Sequence, residues 1–365
     1  MPIILSVGTK PPENILSQSE AVQFAKEMFS SSFSNIERLL TVFQNGDIKK
    51  RHFVESLEWY KEAHSFSEKN NVYIKHAVQL SIEAIHRCLS RKDLLKRSVD
   101  YAEIDAIFFI SSTGMSTPTI DVKILNQLPF KETTKRVPIW GLGCAGGAVG
   151  LSRAFEYCQA YPDAKVLVLS VELCSLTFQH DDLSKSNLIG TSLFADGVAC
   201  ALVVGDQSSY ADFSHLQSFM KIFATQSNLM PHSEDVMGWD IREKGFYVIF
   251  SRDIPSIIEK WLRPNVEQFL QKHSLQLKHI DHFVAHPGGK KVLRAYERSL
   301  QLQPKQLLLS REVLKLFGNM SSATVLYVIE KYLTENIGQK GEYGLIAAMG
   351  PGFCSEQLLV RWGHK

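Results

Sequence analysis

The sequence predicts an α/β fold made of two duplicated halves, and three observations carry that prediction. Apolar segments of strand length alternate with segments bearing apolar residues at helical spacing, the pattern of a largely buried sheet covered by helices. Two motifs recur at nearly one distance along the chain. Ile104-Asp-Ala-Ile-Phe-Phe-Ile-Ser-Ser-Thr-Gly returns as Ile280-Asp-His-Phe-Val-Ala-His-Pro-Gly-Gly, 176 residues on, and Gly143-Cys-Ala-Gly-Gly-Ala-Val returns as Gly318-Asn-Met-Ser-Ser-Ala-Thr, 175 residues on. Finally, 365 residues exceed the ~100 to 200 typical of one domain, and a hydrophobic content of 45% is ample for a large core. The polar stretch Gln207 to Ser214 marks the join, which gives halves 1–206 and 207–365.

Taken in order, Ile3 to Gly8 reads as a strand, and Ser17 and Glu20 have the spacing of a capping box that opens a helix before Ala21. A second helix is expected around Ser34 to Phe43. The short basic cluster Asp47-Ile-Lys-Lys-Arg-His is ordinarily a solvated face; its functional alternative is an anchor for a phosphorylated substrate. Val72, Ala77, Val78, Ile82, Ile85 and Cys88 fall at helical spacing and predict a helix from Asn71 to Leu89. Strands follow at Ala106 to Ile110, Val137 to Leu142, Lys165 to Val171 and Val198 to Val204, with a helix at Leu151 to Ala160. Met230-Pro-His-Ser-Glu-Asp reads as a loop whose polar groups have no metal spacing. Phe246 to Phe250 is strand-like, and Asp253-Ile-Pro introduces a helix as far as Leu270.

Composition narrows the function classes. A net charge of +2 gives no reason to expect nucleic-acid binding or attraction to an acidic membrane. The six cysteines form no C-x-x-C pair and no zinc spacing, and several sit in apolar runs, so reduced thiols and a cytoplasmic location are expected. The first residues, Met1-Pro-Ile-Ile-Leu-Ser-Val, lack the basic start and long apolar stretch of a signal peptide. No run approaches the ~20 apolar residues that span a bilayer.

The chemistry concentrates at Val137 to Gly150, an apolar run that reaches Cys144 through two glycines and continues in small residues. It reads as a buried strand turning abruptly into a helix, with backbone in close approach to something. A thiol there sits at a helix N-terminus, whose partial positive charge favours thiolate. By itself Cys144 is equally a small buried hydrophobe. His286 closes the apolar run Phe283-Val-Ala-His before Pro287-Gly288-Gly289, which fits either a fixed reactive imidazole or a hydrogen-bonded structural one. Asn319 sits at a turn into a helix, as an N-cap or as an amide donor to a developing oxyanion. If the halves pack about a pseudo-twofold axis, the turns at Cys144 and Asn319 face each other and share one pocket.

Together Gly-Leu-Gly-Cys144-Ala-Gly-Gly, Ala-His286-Pro-Gly-Gly, Gly-Asn319-Met-Ser-Ser-Ala-Thr and Met349-Gly-Pro-Gly-Phe resemble the chalcone/stilbene synthase family, the type III polyketide synthases. The four ordered motifs span nearly the whole chain. The resemblance implies a thiolase fold, five-layered αβαβα, usually in a homodimer. It implies Cys144 as acyl-accepting nucleophile, paired as thiolate with an imidazolium, and His286 with Asn319 as partners of the thioester oxygen of malonyl-CoA. It also implies that Gly350, Pro351, Gly352 and Phe353 border the cavity and that Phe194 is a gatekeeper between cofactor tunnel and cavity. The second gatekeeper position falls on Val248, where plant members carry phenylalanine, and a smaller side chain there points to a bulky aliphatic starter. Lys49, Lys50 and Arg51 align with the basic CoA-binding segment, and Lys291 is a further candidate for a CoA phosphate. Thr117, in Gly114-Met-Ser-Thr-Pro, lies opposite a plant methionine in the loop that crosses between monomers.

The expected activity is therefore repeated decarboxylative condensation of malonyl-CoA onto a fatty acyl-CoA starter, followed by ring closure to an alkylpyrone, with no metal or redox cofactor. Three alternatives stand beside it. A ketoacyl synthase of the fatty-acid initiation type shares a Cys, His, Asn set, but its histidine motif continues with Gln-Ala-Asn rather than Pro287-Gly288-Gly289. A thiolase needs a second catalytic cysteine, for which Cys354 fits poorly. An inactive acyl-CoA-binding scaffold is the reading from another class.

Overall fold

The computed structural model describes residues 1–30, 33 and 36–364. Strand β1 (Ile3–Lys10) is buried along almost its whole length. β2 (Asn14–Ser17) leads into α1 (Gln18–Phe29), which the expected capping box opens, with Ser17 Oγ accepting from the Glu20 N–H and the Glu20 carboxylate accepting from the Ser17 N–H. Ser34, the start expected for the second helix, lies outside the described residues; that helix, α2, is seen over Ile36–Gln44. Next come β3 (Lys50–Phe53), the single turn α3 (Leu57–Tyr60) and the long α4 (Phe66–Leu89). A second capping box, Ser65 with Glu68, starts α4 five residues before apolar periodicity places it. β4 (Ala106–Ser111), α5 (Ile120–Leu125), β5 (Lys135–Trp140), α6 (Gly146–Ala160), β6 (Lys165–Leu173), α7 (Lys185–Leu193) and β7 (Asp196–Val204) complete the first half.

The second half begins with β8 (Phe219–Leu229) and a hairpin of β9 (Met237–Arg242) and β10 (Gly245–Phe250). Then follow α8 (Ile254–Lys272), β11 (His282–Ala285), α9 (Lys290–Leu300), α10 (Leu308–Phe317), α11 (Ala323–Thr334), β12 (Tyr343–Gly350) and β13 (Cys354–Gly363). Nine strands form one sheet in the order β11-β12-β13-β8-β1-β7-β6-β4-β5. Read outward from its middle, β1-β7-β6-β4 and β8-β13-β12-β11 have the same sequence of pairings, antiparallel, antiparallel and then parallel. The duplication expected from the repeated motifs is thus a duplication of topology. The halves join where β1 meets β8, at Ile3 opposite Lys221 and Ile4 opposite Met220.

Helices α6 and α11 touch each other and strands of both halves, so they form the central layer; α4 covers β1 and β7 on one outer side. Alternation along β12 shows the layering of the other half. Ile346 and Ala348 join the core shared with α6 and α11, while Leu345, Ala347 and Met349 join the core under α8 and α9. A strand buried on both faces needs apolar residues at every position, which is why these segments read as continuous apolar runs.

Candidate active site

The turn that carries Cys144 follows the end of β5. Gly141 and Gly143 adopt positive φ, +88° and +44°, which favours glycine, and a Cβ on Gly143 would lie 2.6 Å from Cδ of Pro351. A Cβ on Gly350 would lie 2.3 Å from the Leu142 carbonyl oxygen. The Gly350-Pro351-Gly352-Phe353 loop therefore packs directly against the cysteine turn. On the opposite side Gly147 of α6 is pressed against the start of α11, where a Cβ would stand 2.2 Å from the Ser322 carbonyl oxygen. These contacts aim Cys144 at the turn before α11.

That turn holds Asn319. Its side chain is fixed at both ends: Oδ1 accepts from the Ser321 N–H at 2.9 Å, and Nδ2 donates to the Gly288 carbonyl at 3.1 Å. The Cys144 thiol donates to Oδ1 across 3.9 Å. Gly288 brings in the third residue. β11 ends at Ala285, the His286 N–H donates to the Ala347 carbonyl at 2.9 Å, and a Cβ on Gly288 would be 3.6 Å from His286 Nε2. His286 is buried, and neither ring nitrogen has a hydrogen-bond partner among the described residues. Buried polar groups are seldom left so, and a pair of unused ring nitrogens fits a group held for substrate.

Electrostatics depart from the sequence reading. Although Cys144 is only half-buried as a residue, burial pushes its thiol up to about 12, with hydrogen bonds from Ser321 and Asn319 opposing and the Glu172 carboxylate adding to the rise. Burial lowers His286 to about 3. Desolvation thus works against charge on both the thiol and the imidazole, and so against the thiolate–imidazolium pair that the resemblance implies.

Glu172, on β6, escaped the sequence reading. It is fully buried, and burial raises it to about 7. It accepts from the Ser112 N–H and Thr113 Oγ1, each at 3.0 Å, and from Ser322 Oγ at 2.5 Å. Ser112 Oγ in turn accepts from the Gly143 N–H at 3.0 Å. One carboxylate thus ties the cysteine turn to the asparagine turn. The available signal was an acid inside the apolar run Lys165–Leu173, since a buried acid requires several donors.

Phe194 follows the end of α7, with its ring 5.6 Å from Trp239 and 5.5 Å from Phe250. Val248 lines the same hollow, a cavity of 40 Å³ walled mainly by Leu16, Phe24, Phe53 and Phe178. Lys49 and Lys291 are exposed, Lys50 is half-buried, and Lys290 pairs with Asp47 at 2.7 Å. One expectation needs correction. Arg51 is 1% exposed and turned inward, because its guanidinium bonds the end of α7, so it is not placed to meet a CoA phosphate from solvent. Thr117 lies exposed in the turn after β4.

A thiol, an amide and an imidazole brought together by turns of a duplicated α/β sheet fit an acyltransferase with the thiolase fold. The chain belongs to the chalcone and stilbene synthase family: the N-terminal domain of chalcone and stilbene synthases matches residues 1–207 and the C-terminal domain matches residues 221–362. It is 54% identical over 362 residues, 99% of each chain, to the "Putative chalcone synthase" of Bacillus subtilis (strain 168). It is 29% identical over 365 residues to the alpha-pyrone synthesis polyketide synthase-like Pks18 of Mycobacterium tuberculosis (strain ATCC 25618 / H37Rv), covering 98% of this chain and 90% of that one. Its fold matches the crystal structure of 1,3,6,8-tetrahydroxynaphthalene synthase from Streptomyces coelicolor A3(2), a bacterial type III polyketide synthase, with a TM-score of 0.91, 28% identity and full coverage of both chains. The chain is accordingly a type III polyketide synthase, and the ketoacyl synthase and thiolase alternatives fall away.

Proposed function

We propose that the protein condenses malonyl-CoA repeatedly onto a fatty acyl-CoA starter held on Cys144 and closes the product to an alkylpyrone. The observation that carries the reading is the Cys144 thiol 3.9 Å from Asn319 Oδ1, in a centre where His286 keeps two buried ring nitrogens unused. Burial disfavours charge on both groups, so the thiol proton passes to His286 as sulfur attacks the acyl-CoA carbonyl, and the departing CoA sulfur takes a proton as it leaves. Malonyl-CoA then loses its carboxylate as carbon dioxide. The electron pair enters the thioester as an enolate, whose oxygen is held by Asn319 Nδ2 and the His286 imidazole. The enolate carbon attacks the acyl-cysteine carbonyl, the carbon–sulfur bond breaks, and the thiolate is reprotonated. The chain is two carbons longer and returns to Cys144. After two or three rounds an enol oxygen attacks the thioester carbonyl, which closes the ring and releases CoA.

This scheme draws on CoA thioesters and on no metal or redox group. Lys49, Lys50 and Lys291 are the surface cations proposed to meet CoA phosphates. Val248 beside Phe194 supports an aliphatic starter, and the likeness to an alpha-pyrone synthesis protein supports the ring type. A second reading has its own support: the fold match is to a 1,3,6,8-tetrahydroxynaphthalene synthase, whose name denotes a hydroxylated aromatic product. Malonyl-CoA as both starter and extender, giving a hydroxylated aromatic, is that alternative. Incubating the protein with malonyl-CoA and acyl-CoAs of increasing length, with mass spectrometry of the products, decides between them. Pyrones bearing the starter's alkyl chain uphold the proposal. Condensed product from malonyl-CoA alone at every starter length favours the second reading, and no product across the series removes both.

We further propose a cytoplasmic homodimer whose two halves divide at residues 206 and 207. All six cysteines are free thiols, and no helix among the described residues is long and apolar enough to cross a membrane. β5 is an edge strand with Val137 39% and Trp140 47% exposed, an unpaired apolar edge of the kind a second copy covers. The turn bearing Thr117 adjoins it, since Trp140 Nε1 donates to the Gly114 carbonyl at 3.3 Å.

A further inference from the structure

Resting on the reaction read above, we propose that Arg51 is a positioning residue for it: its guanidinium clamps the segment Thr191 to Phe194 and thereby sets the Asn319 amide against Cys144. β3 carries Arg51 beneath the end of α7, where the last carbonyls of the helix have no intrahelical partners. Nη1 donates to the Thr191 carbonyl at 2.6 Å and to the Phe194 carbonyl at 2.9 Å. A cation at a helix C-terminus is well placed, and here it also grips the backbone of the gatekeeper.

The same segment is bonded on its other side to the asparagine turn. The Asn319 N–H donates to the Leu193 carbonyl, and the Ala195 N–H donates to the Asn319 carbonyl, both at 2.9 Å. Arg51 also touches that turn directly, because a Cβ on Gly318 would lie 2.8 Å from its Cγ. Arg51, the gatekeeper segment and Asn319 therefore form one connected unit. Burial lowers Arg51 only to about 10, with Asp196 opposing the shift, so the side chain stays charged at neutral pH. A buried cation among Leu16, Ala21, Phe53 and Leu57 is a poor choice if filling space is its only task, since an apolar side chain of similar length would do that better.

The test compares wild type with Arg51→Met, which keeps the stem and loses both hydrogen bonds, and Arg51→Lys, which keeps a cation but not the placement of Nη1 between the two carbonyls. Three quantities are read: carbon dioxide released from labelled malonyl-CoA, acyl transfer to Cys144 by intact-protein mass, and deuterium exchange of the amides in 191–195 and 318–321. For Arg51→Met the decarboxylation kcat is expected to fall ~10- to 100-fold with KM for malonyl-CoA changed less than ~3-fold, because a displaced amide loses transition-state binding alone. Acyl transfer slows less, exchange in both segments quickens, and Arg51→Lys falls between. A raised KM with unchanged kcat makes Arg51 a CoA ligand and overturns the proposal. Unchanged decarboxylation in a folded variant overturns it too. If Arg51→Met does not fold, the ratio of decarboxylation to acyl transfer in Arg51→Lys decides: a lowered ratio supports positioning, and an unchanged one overturns it. Wild-type protein that neither decarboxylates malonyl-CoA nor acylates Cys144 instead defeats the polyketide chemistry itself, and this proposal with it.

Discussion

At Asn319 one side chain carries two tasks, since Oδ1 faces the Cys144 thiol while Nδ2 is held by Gly288 with one hydrogen to spare. Asn319→Ala removes an enolate donor, and malonyl-CoA decarboxylation is expected to drop ~100- to 1,000-fold, with acylation of Cys144 affected far less. A carbon dioxide release assay within a few-fold of wild type would refute that role. The raised thiol gives a second expectation. With burial holding Cys144 near 12, its alkylation by iodoacetamide in the free enzyme is slow at pH 7 and climbs steadily above pH 9. A rate already level at pH 7 would mean a resting thiolate. Cys144, His286 and Asn319 were legible because each stands at a glycine-marked turn within a repeated motif. Glu172 and Arg51 were not, because their meaning lies in bonds to residues 60 and 140 positions away in sequence, respectively to Ser112 and Thr191.

Among the elements, the crossing of α6 and α11 tolerates least. Gly147 has no room for a methyl group against the Ser322 carbonyl, so Gly147→Ala is expected to destabilise the protein by about 1–3 kcal/mol, read as a lower thermal midpoint, and to weaken decarboxylation by spreading the two turns. A midpoint equal to wild type would show that the helices part freely. In the β9–β10 hairpin, Val248→Phe fills the hollow beside Phe194 and is expected to shift product toward shorter starters; an unchanged product spectrum removes Val248 from that selection. Most strands and long helices were legible from apolar runs and helical spacing. Their starts were less so: α6 opens at Gly146 and not at Leu151, because tight packing in the central layer outweighs the poor helix propensity of glycine.

For the whole molecule, offsets of 176 and 175 residues foretold a topology in which four strands repeat, and they foretold that Cys144 and Asn319 would meet. Pro138, which cannot donate to a ladder, marks Lys135–Trp140 as an edge strand, but what covers that edge was not legible in the sequence. If β5 is the seam of a dimer, sedimentation gives about twice the chain's 41.2 kDa, and Trp140→Asp shifts that mass toward the single chain; a wild-type protein at 41.2 kDa excludes the seam. The position of β1 has a different consequence. Ile3–Lys10 leaves the ribosome well before its two neighbours, β7 and β8, which lie some 200 residues downstream. An early phrase of the message is thus understood only when much more of the sentence has been spoken. Until then an apolar ribbon must wait unpaired, and clipping it from the finished protein would unzip the seam between the halves rather than fray an end.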